Sequence, residues 1–297
     1  RFRLKGRRAL LLQKGLGLPL LAVALLGAGC LDPSGTKAER EQADKVGEAY
    51  QQRRSRRDLP NLRAPLAEST LVSHALQANA SLEESYWQWR GALSRVTEAA
   101  AWDDPNLSFK YLTSTGGNRW DRTTLEASSA IPLSGKVTYR AREALAEAQK
   151  MRHEFEAAKF SLQRKVRAAA AEYRYLGQAV AAGRKDAALL EEAVSLWRER
   201  LRNGQAAERE VWEKENERDL AVNELKIREA RIPAQAAELN ALLGRVAPLP
   251  LPFPEEEAPA ALMVADQDFI LLAAERNPEL ASLAASVQGS RHALSYA

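Results

Sequence analysis

Hydrophobic positions follow one rule over a long middle stretch of the chain. From Lys136 to Arg202 there is no proline, and apolar residues recur every three or four positions. The series runs Ala141, Ala144, Ala148, Met151, Phe155, Ala158, Leu162, then Val166, Ala169, Tyr173, Leu176, Val180, Gly183, and on through Ala187, Leu190, Val194, Trp197 and Leu201. That is a heptad seam built for packing on another helix. The extra four-step from Leu162 to Val166 is a stutter that locally relaxes a supercoil. A helix of this extent would be about 100 Å long at 1.5 Å per residue, far more than a compact core needs. Asn203-Gly204 ends it, with Gly204 suited to a left-handed cap. A second helix is predicted from about Ala206 to Leu243, kinked at Pro233. Its seam is Val211, Val222, Leu225, Ile232, Ala236, Leu239 and Leu243, with Glu215, Arg218 and Glu229 at the intervening seam positions. A short turn between two long helices makes them antiparallel neighbours.

Upstream the period changes. A helix is predicted from about Leu71 to Ala101, capped by Ser69 or Thr70. Trp102-Asp103-Asp104-Pro105 stops it, because Pro105 removes a donor and pushes Asp104 out of the helical region. In Asn106–Thr113 the side chains of Leu107, Phe109 and Tyr111 alternate with Ser108 and Lys110; in Thr123–Ile131, Leu125, Ala127 and Ile131 alternate with Glu126 and Ser128. Gly116-Gly117-Asn118 supplies a turn, and Pro132 and Gly135 close the pair, so a two-stranded hairpin over 106–131 is expected. One apolar and one polar face suits a strand of a membrane barrel, and equally a soluble hairpin laid on a core.

The ends divide differently. Residues 1–29 run from a basic stretch through an apolar one, Gly15 to Leu26, to Gly27-Ala28-Gly29, the order of a secretory signal. Residues 30–68 are polar and punctuated by Pro33, Pro60 and Pro65; they read as a tether with one short helix. Residues 246–265, with Pro248, Pro250, Pro252, Pro254 and Pro259, read as an extended linker. Over 266–297 the pattern of the first helix returns. At an offset of 198 residues Ala75, Asn79, Leu82 and Ala99 meet Ala273, Asn277, Leu280 and Ala297, and Val96 meets Leu294. The expected organisation is therefore a first repeat over 69–245, with long helices 136–202 and 206–244, and the start of a second repeat, truncated before its own strand pair. The Arg at position 1 likewise reads as a missing start.

Charge changes the picture only after the leader is set aside. The formal net charge of +4 includes Arg1, Arg3, Lys5, Arg7, Arg8 and Lys14 with no acid among residues 1–29. Without them, 37 basic residues face 39 acidic ones, a balance of −2, which gives no electrostatic ground for binding nucleic acid. The cluster Arg53, Arg54, Arg56 and Arg57 reads as a solvated linker. Apolar residues at 45%, aromatics at 6% and charges at 28% suit long helices better than a sandwich or an α/β enzyme.

Cys30, the chain's only cysteine, stands directly after small residues. This resembles a bacterial lipobox, in which the cysteine is acylated and becomes the new N-terminus. Gly27 departs from the Leu preferred three positions earlier. Leu31, where sorting rules look for an Asp, implies the outer membrane.

VSHALQANASLEES, DDPNLSF, IPLSGK, RLRNGQ and LNALLGR before a proline-rich stretch together resemble the TolC-like outer-membrane efflux proteins, over roughly residues 70–297. IPLSGK faintly resembles the metal-cation branch, although three His and two Met give that no physical support. The resemblance implies a mainly α fold: a long antiparallel coiled-coil hairpin with a two-stranded β-hairpin contributing to a trimeric α/β-barrel channel. It implies a homotrimer in outer-membrane lipid, a periplasmic adaptor and an inner-membrane pump as partners, and a passive conduit as function. The docking tip falls on Asn203, Gly204 and Gln205, where Gln205 replaces the usual apolar residue.

Catalytic chemistry has little support. There is no phosphate loop, nucleophile motif or metal-ligand spacing. His74, His153 and His292 fall on separate predicted helices. Glu191-Glu192 read as helix surface and Glu255–Glu257 as solvated linker. Trp87 and Trp89 read as packing residues; Trp102 and Trp120 flank the strands, as an interfacial girdle or as core. No catalytic, cofactor or metal residue is assigned. The competing readings are a periplasmic adaptor or coiled-coil spacer lipoprotein, and, more weakly, a lipid-anchored hydrolase.

Overall fold

The computed structural model describes residues 33–53, 56–113, 121–129, 135–255 and 266–296. The export signal, Cys30, Arg54, the turn at Gly116–Asn118, Trp120, Ile131, Pro132 and Pro259 lie outside the described residues. The elements are α1 (Thr36–Gly47) with a following 3-10 turn (Glu48–Tyr50), α2 (Glu68–Ala78), α3 (Ala80–Ala99), β1 (Asn106–Thr113), β2 (Asp121–Ser128), α4 (Lys136–Arg202), α5 (Glu208–Leu242), α6 (Asp266–Arg276) and α7 (Pro278–Tyr296).

α4 is the axis on which the rest is laid. It spans 67 residues, about 100 Å, and every residue of its predicted seam is buried or half-buried. α5 runs antiparallel along its distal part and α3 along its first part. At the α3 end, the Arg140 guanidinium donates to the Ala99 and Ala101 carbonyl oxygens at 3.0 and 2.8 Å, and Trp89 stacks on Phe155 with centroids 6.0 Å apart. α7 lies antiparallel on a different face, with Gly289 against Ala146 and the rings of Tyr139 and His292 6.4 Å apart. The thickest core is the meeting of α1, α3 and α4: Tyr86, Trp89 and Phe155 are almost wholly buried, with Tyr50 beside them.

Several expectations needed correction. The single helix from Leu71 to Ala101 is two helices. It starts at Glu68 behind Ala67, not behind a Ser69 or Thr70 cap, and breaks at Asn79, whose extended backbone and side chain begin α3. Segment 30–68 is not a free tether where it is described. α1 packs through Ala43, and Gly47 lies so close to Tyr86 that a Cβ would sit 2.0 Å from the phenol oxygen. The basic cluster is not uniformly solvated either: Arg57 is buried, donating to Glu83 and to the Gln77 carbonyl, each at 2.7 Å. The described part of the proline-rich stretch, residues 246–255, also packs. Phe253 stacks on Tyr173 at 4.6 Å, Tyr173 donates to the Leu251 carbonyl at 2.8 Å, and Glu255 N–H donates to Leu66. α5 continues through Pro233. β2 begins at Asp121, because pairing with β1 sets its extent from Asp121↔Thr113 to Ser128↔Asn106.

Candidate conduit surfaces and hairpin tip

The hairpin seam changes character along its length. Near the thick core it is aromatic and aliphatic. Toward the tip its polar positions are ion pairs between the two helices: Arg184–Glu229 at 2.8 Å, Arg218–Glu191 at 3.2 Å and Arg198–Glu215 at 2.6 Å. Glu215, Arg218 and Glu229 therefore stay in the seam by meeting an opposite charge at its rim. Glu191 is the surface helix residue expected of it.

The tip is a tight helix cap. Gly204 has φ +71°, its N–H donates to Leu201 and the Gln205 N–H donates to Arg200, which is the Schellman pattern. A Cβ on Gly204 would meet nothing within 4 Å, so the left-handed backbone alone demands glycine here. Asn203, Gly204 and Gln205 are all exposed, as is Trp212 just beyond the turn. Glu210 accepts from the Ala207 N–H at 2.9 Å and so closes the start of α5.

At the other end, α5 meets α3 end to end. Asn79 accepts from Ser81 and Leu82 N–H at 3.0 and 3.1 Å, capping α3, while its amide donates to the Leu242 carbonyl at 2.9 Å. Gly244 (φ +67°) ends α5, and a Cβ there would lie 2.5 Å from the Ala78 carbonyl oxygen. Two shorter helices thus form one broken column beside α4. The same local geometry recurs at Asn277: its N–H donates to Ala273, it accepts from Glu279 N–H, and α6 and α7 flank it as α2 and α3 flank Asn79. Leu82 is 2% exposed on α3, but Leu280, at the matching place on α7, is 49% exposed.

The strand pair stands clear of the helices. Leu107, Phe109, Tyr111 and Leu125 share one face and are all exposed. Ser108, Lys110, Glu126 and Thr124 share the other. Trp102 is exposed beside the strand base, whereas Trp89 is core and Trp87 half-exposed. Among the described residues, no helix is long and apolar enough to cross a membrane, which says nothing about strands.

The titratable groups belong to packing. Among the described residues no three His, Cys, Asp or Glu gather for a metal ion. His74 is buried; its Nδ1 donates to the Pro60 carbonyl at 3.0 Å, and burial lowers its pKa. His153 is lowered by burial and by Arg152; His292 lies against Tyr139. On α1, burial raises the pKa of Glu39, while Arg152 at 2.9 Å and Trp89 pull it back. Burial pushes Tyr50 up to about 12. The structural roles of Asn79, Gly244, Arg57 and Glu39 are not what the sequence suggests: Asn79 marks the repeat there, Arg57 reads as solvated, and Gly244 and Glu39 carry no assigned role. Asn79, an Asn ahead of a helical run, and Gly244, a Gly at the end of one, carry local signals; Arg57 and Glu39 carry none.

No protein-family model matches the sequence, and no curated protein matches it. Solved structures do match in shape. The outer-membrane channel OprN superposes with a TM-score of 0.66 at 15% identity, over 77% of this chain and 54% of that one. A membrane protein from Pseudomonas aeruginosa gives 0.65 at 19% identity, over 77% and 56%. The outer-membrane protein VceC from Vibrio cholerae gives 0.62 at 18% identity, over 76% and 57%. The chain spans about half the length of these structures. Over that span the chain has the fold of these outer-membrane channel structures.

Proposed function

We propose that this chain belongs to the outer-membrane channel component of a multipart efflux or secretion system, a passive conduit for substrates driven by an inner-membrane pump. The observation that carries this reading is that both hairpin helices have a second apolar face, still exposed. On α4 it is Ala168, Tyr175, Ala182, Leu189 and Leu196; on α5 it is Leu220, Ile227, Ala234 and Ala241, all at heptad spacing and all exposed. A helix in a two-stranded spacer needs one seam. A helix in the wall of a closed tube needs two, one for each neighbour. This favours the conduit over a two-stranded spacer.

The strand pair supports the same reading. Its apolar face suits lipid and its polar face a water-filled lumen. A two-stranded sheet in lipid leaves backbone groups unpaired, so closure with other strands is required. Three copies, each with a second repeat opening at Asp266, meet that requirement. The recurrence of the Asn79 geometry at Asn277 supports the repeat.

Acylation of Cys30 completes the proposal. Pro33 and Ser34 lie beside Arg142, Leu145 and Gln149, in the first turns of α4 after the strands. A lipid on Cys30, three residues before Pro33 in the sequence, would tether this end of the chain to the inner leaflet of the outer membrane. The tip, Asn203 to Gln205, then points into the periplasm, where it docks an adaptor.

The test is reconstitution of the complete gene product in planar bilayers. Stepwise, water-filled conductance supports the conduit. A monomer that fractionates with the inner membrane and never conducts refutes it.

A further inference from the structure

α1 is built unlike the body it lies on. Its buried positions are Thr36, Glu39, Ala43 and Gly47, and of these only Ala43 brings an apolar side chain; Val46 adds a half-buried contact. The groove between α3 and α4 is lined instead by Tyr86, Trp89 and Phe155, each no more than 2% exposed. Those rings pack on one another, Trp89 on Phe155 at 6.0 Å and Tyr86 on Phe155 at 6.3 Å, so the cluster coheres without α1.

Shape and charge hold α1 in place. Gly47 lets its backbone pass closer to Tyr86 than any side chain would allow, and the Tyr86 hydroxyl donates to the Ala43 carbonyl at 3.2 Å. Asp44 meets Arg90 at 2.7 Å and Arg40 donates to Thr97 at 2.7 Å, both at exposed rims where such contacts contribute little. At the centre buried Glu39 meets the Arg152 guanidinium at 2.9 Å. A buried pair adds little over two apolar residues, yet removing one partner strands the other charge. Glu39 therefore fixes where α1 sits more than how tightly. Downstream the chain is pinned: Tyr50 is buried, donates to the Leu76 carbonyl at 3.1 Å and lies 5.0 Å from the Tyr86 ring.

We propose that α1 is a releasable strap, which leaves the α3–α4 groove as one unit up to the pinned Tyr50 and returns to a single register set by Glu39 on Arg152. An element with little buried apolar area belongs to the low-stability end of a fold and opens ahead of the rest. Release moves the anchored point of the chain after Cys30 from α1 to Tyr50 and so lengthens the tether of an acylated cysteine. That consequence rests on the acylation proposed above; the opening does not.

The test is hydrogen exchange read by mass spectrometry on the full chain with Cys30→Ser, so that acylation plays no part in the outcome. Amides of residues 36–47 should exchange together and at least tenfold faster than those of α3. Glu39→Gln should speed that block at least tenfold more and leave α3 and α5 unchanged. Glu39→Leu with Arg152→Leu, which removes both charges, should recover most of the lost protection. A block that exchanges only together with α3 overturns the strap, and the unsubstituted chain alone can show it. Protection that Glu39→Gln leaves intact, or removes from every helix alike, overturns the proposal too, as does a double variant no better protected than Glu39→Gln.

Discussion

Asn79 donates to the Leu242 carbonyl oxygen at 2.9 Å, so the residue that begins α3 also closes α5. One side chain joins two helix ends, 163 residues apart in the sequence, into a single column beside α4. Asn79→Ser keeps a cap for α3 but loses the donor to Leu242, and should cost about 1 kcal/mol. Asn79→Ala loses both and should cost about 2 kcal/mol. Urea unfolding followed at 222 nm measures the difference; equal costs would mean that the Leu242 bond contributes nothing.

Gly204 and Gly244 share a left-handed backbone but not their surroundings. Gly204→Ala should cost about 1 kcal/mol, the strain of the backbone alone. Gly244→Ala adds a Cβ at 2.5 Å from the Ala78 carbonyl oxygen, which forces α2 and α5 apart. It should lower the thermal midpoint far more than Gly204→Ala does.

Burial separates two kinds of ion pair. Arg57 is enclosed, with Glu83, the Gln77 carbonyl and the Tyr50 ring around it. Arg57→Ala leaves Glu83 without its buried counter-charge and should cost about 3 kcal/mol, with little dependence on salt. Arg198, half-exposed opposite Glu215, should cost about 0.5 kcal/mol when changed to Ala, and the effect should fade in 1 M salt, where the Debye length is about 3 Å.

His74 sets a pH dependence. Burial holds its pKa below the ordinary histidine value, so between the two values the unfolded chain binds the proton and the folded chain does not. The stability that His74 contributes is complete above the unfolded value and is lost as pH falls below it toward the folded one. Glu39, with its pKa raised, acts in the opposite sense, its contribution being lost as pH rises through its folded value. Unfolding curves from pH 7.5 to 5.5 should show a loss of stability on acidification that His74→Gln reduces. A slope unchanged by that substitution would contradict the assignment.

How much of this was legible depends on how local the cause is. Lys136–Arg202 was read at its observed bounds because heptad spacing, the absence of proline and the Asn203-Gly204 cap all lie within the segment. β1 was legible for the same reason: alternation between two breakers. The packing of 36–67 and 246–255 was not. The buried positions Thr36, Glu39, Ala43, Gly47 and Tyr50 do recur at helical spacing, but only Ala43 and Tyr50 among them are apolar, and Leu66 and Leu251 stand beside prolines outside any period. Arg57 looked like a solvated charge because Glu83, which encloses it, is 26 residues away. The tip residues lie where the sequence put them, at the turn between the two long helices.

The central claim is that β1 and β2 stand in a barrel wall between lipid and water. Single spin labels at Leu107, Ser108, Phe109, Lys110 and Tyr111, in the complete protein reconstituted in lipid vesicles, test it most directly. Oxygen, which concentrates in lipid, should reach Leu107, Phe109 and Tyr111, and a water-soluble nickel complex should reach Ser108 and Lys110, giving a period of two. Uniform exposure to the nickel complex at all five positions would place the strands in water and contradict the account.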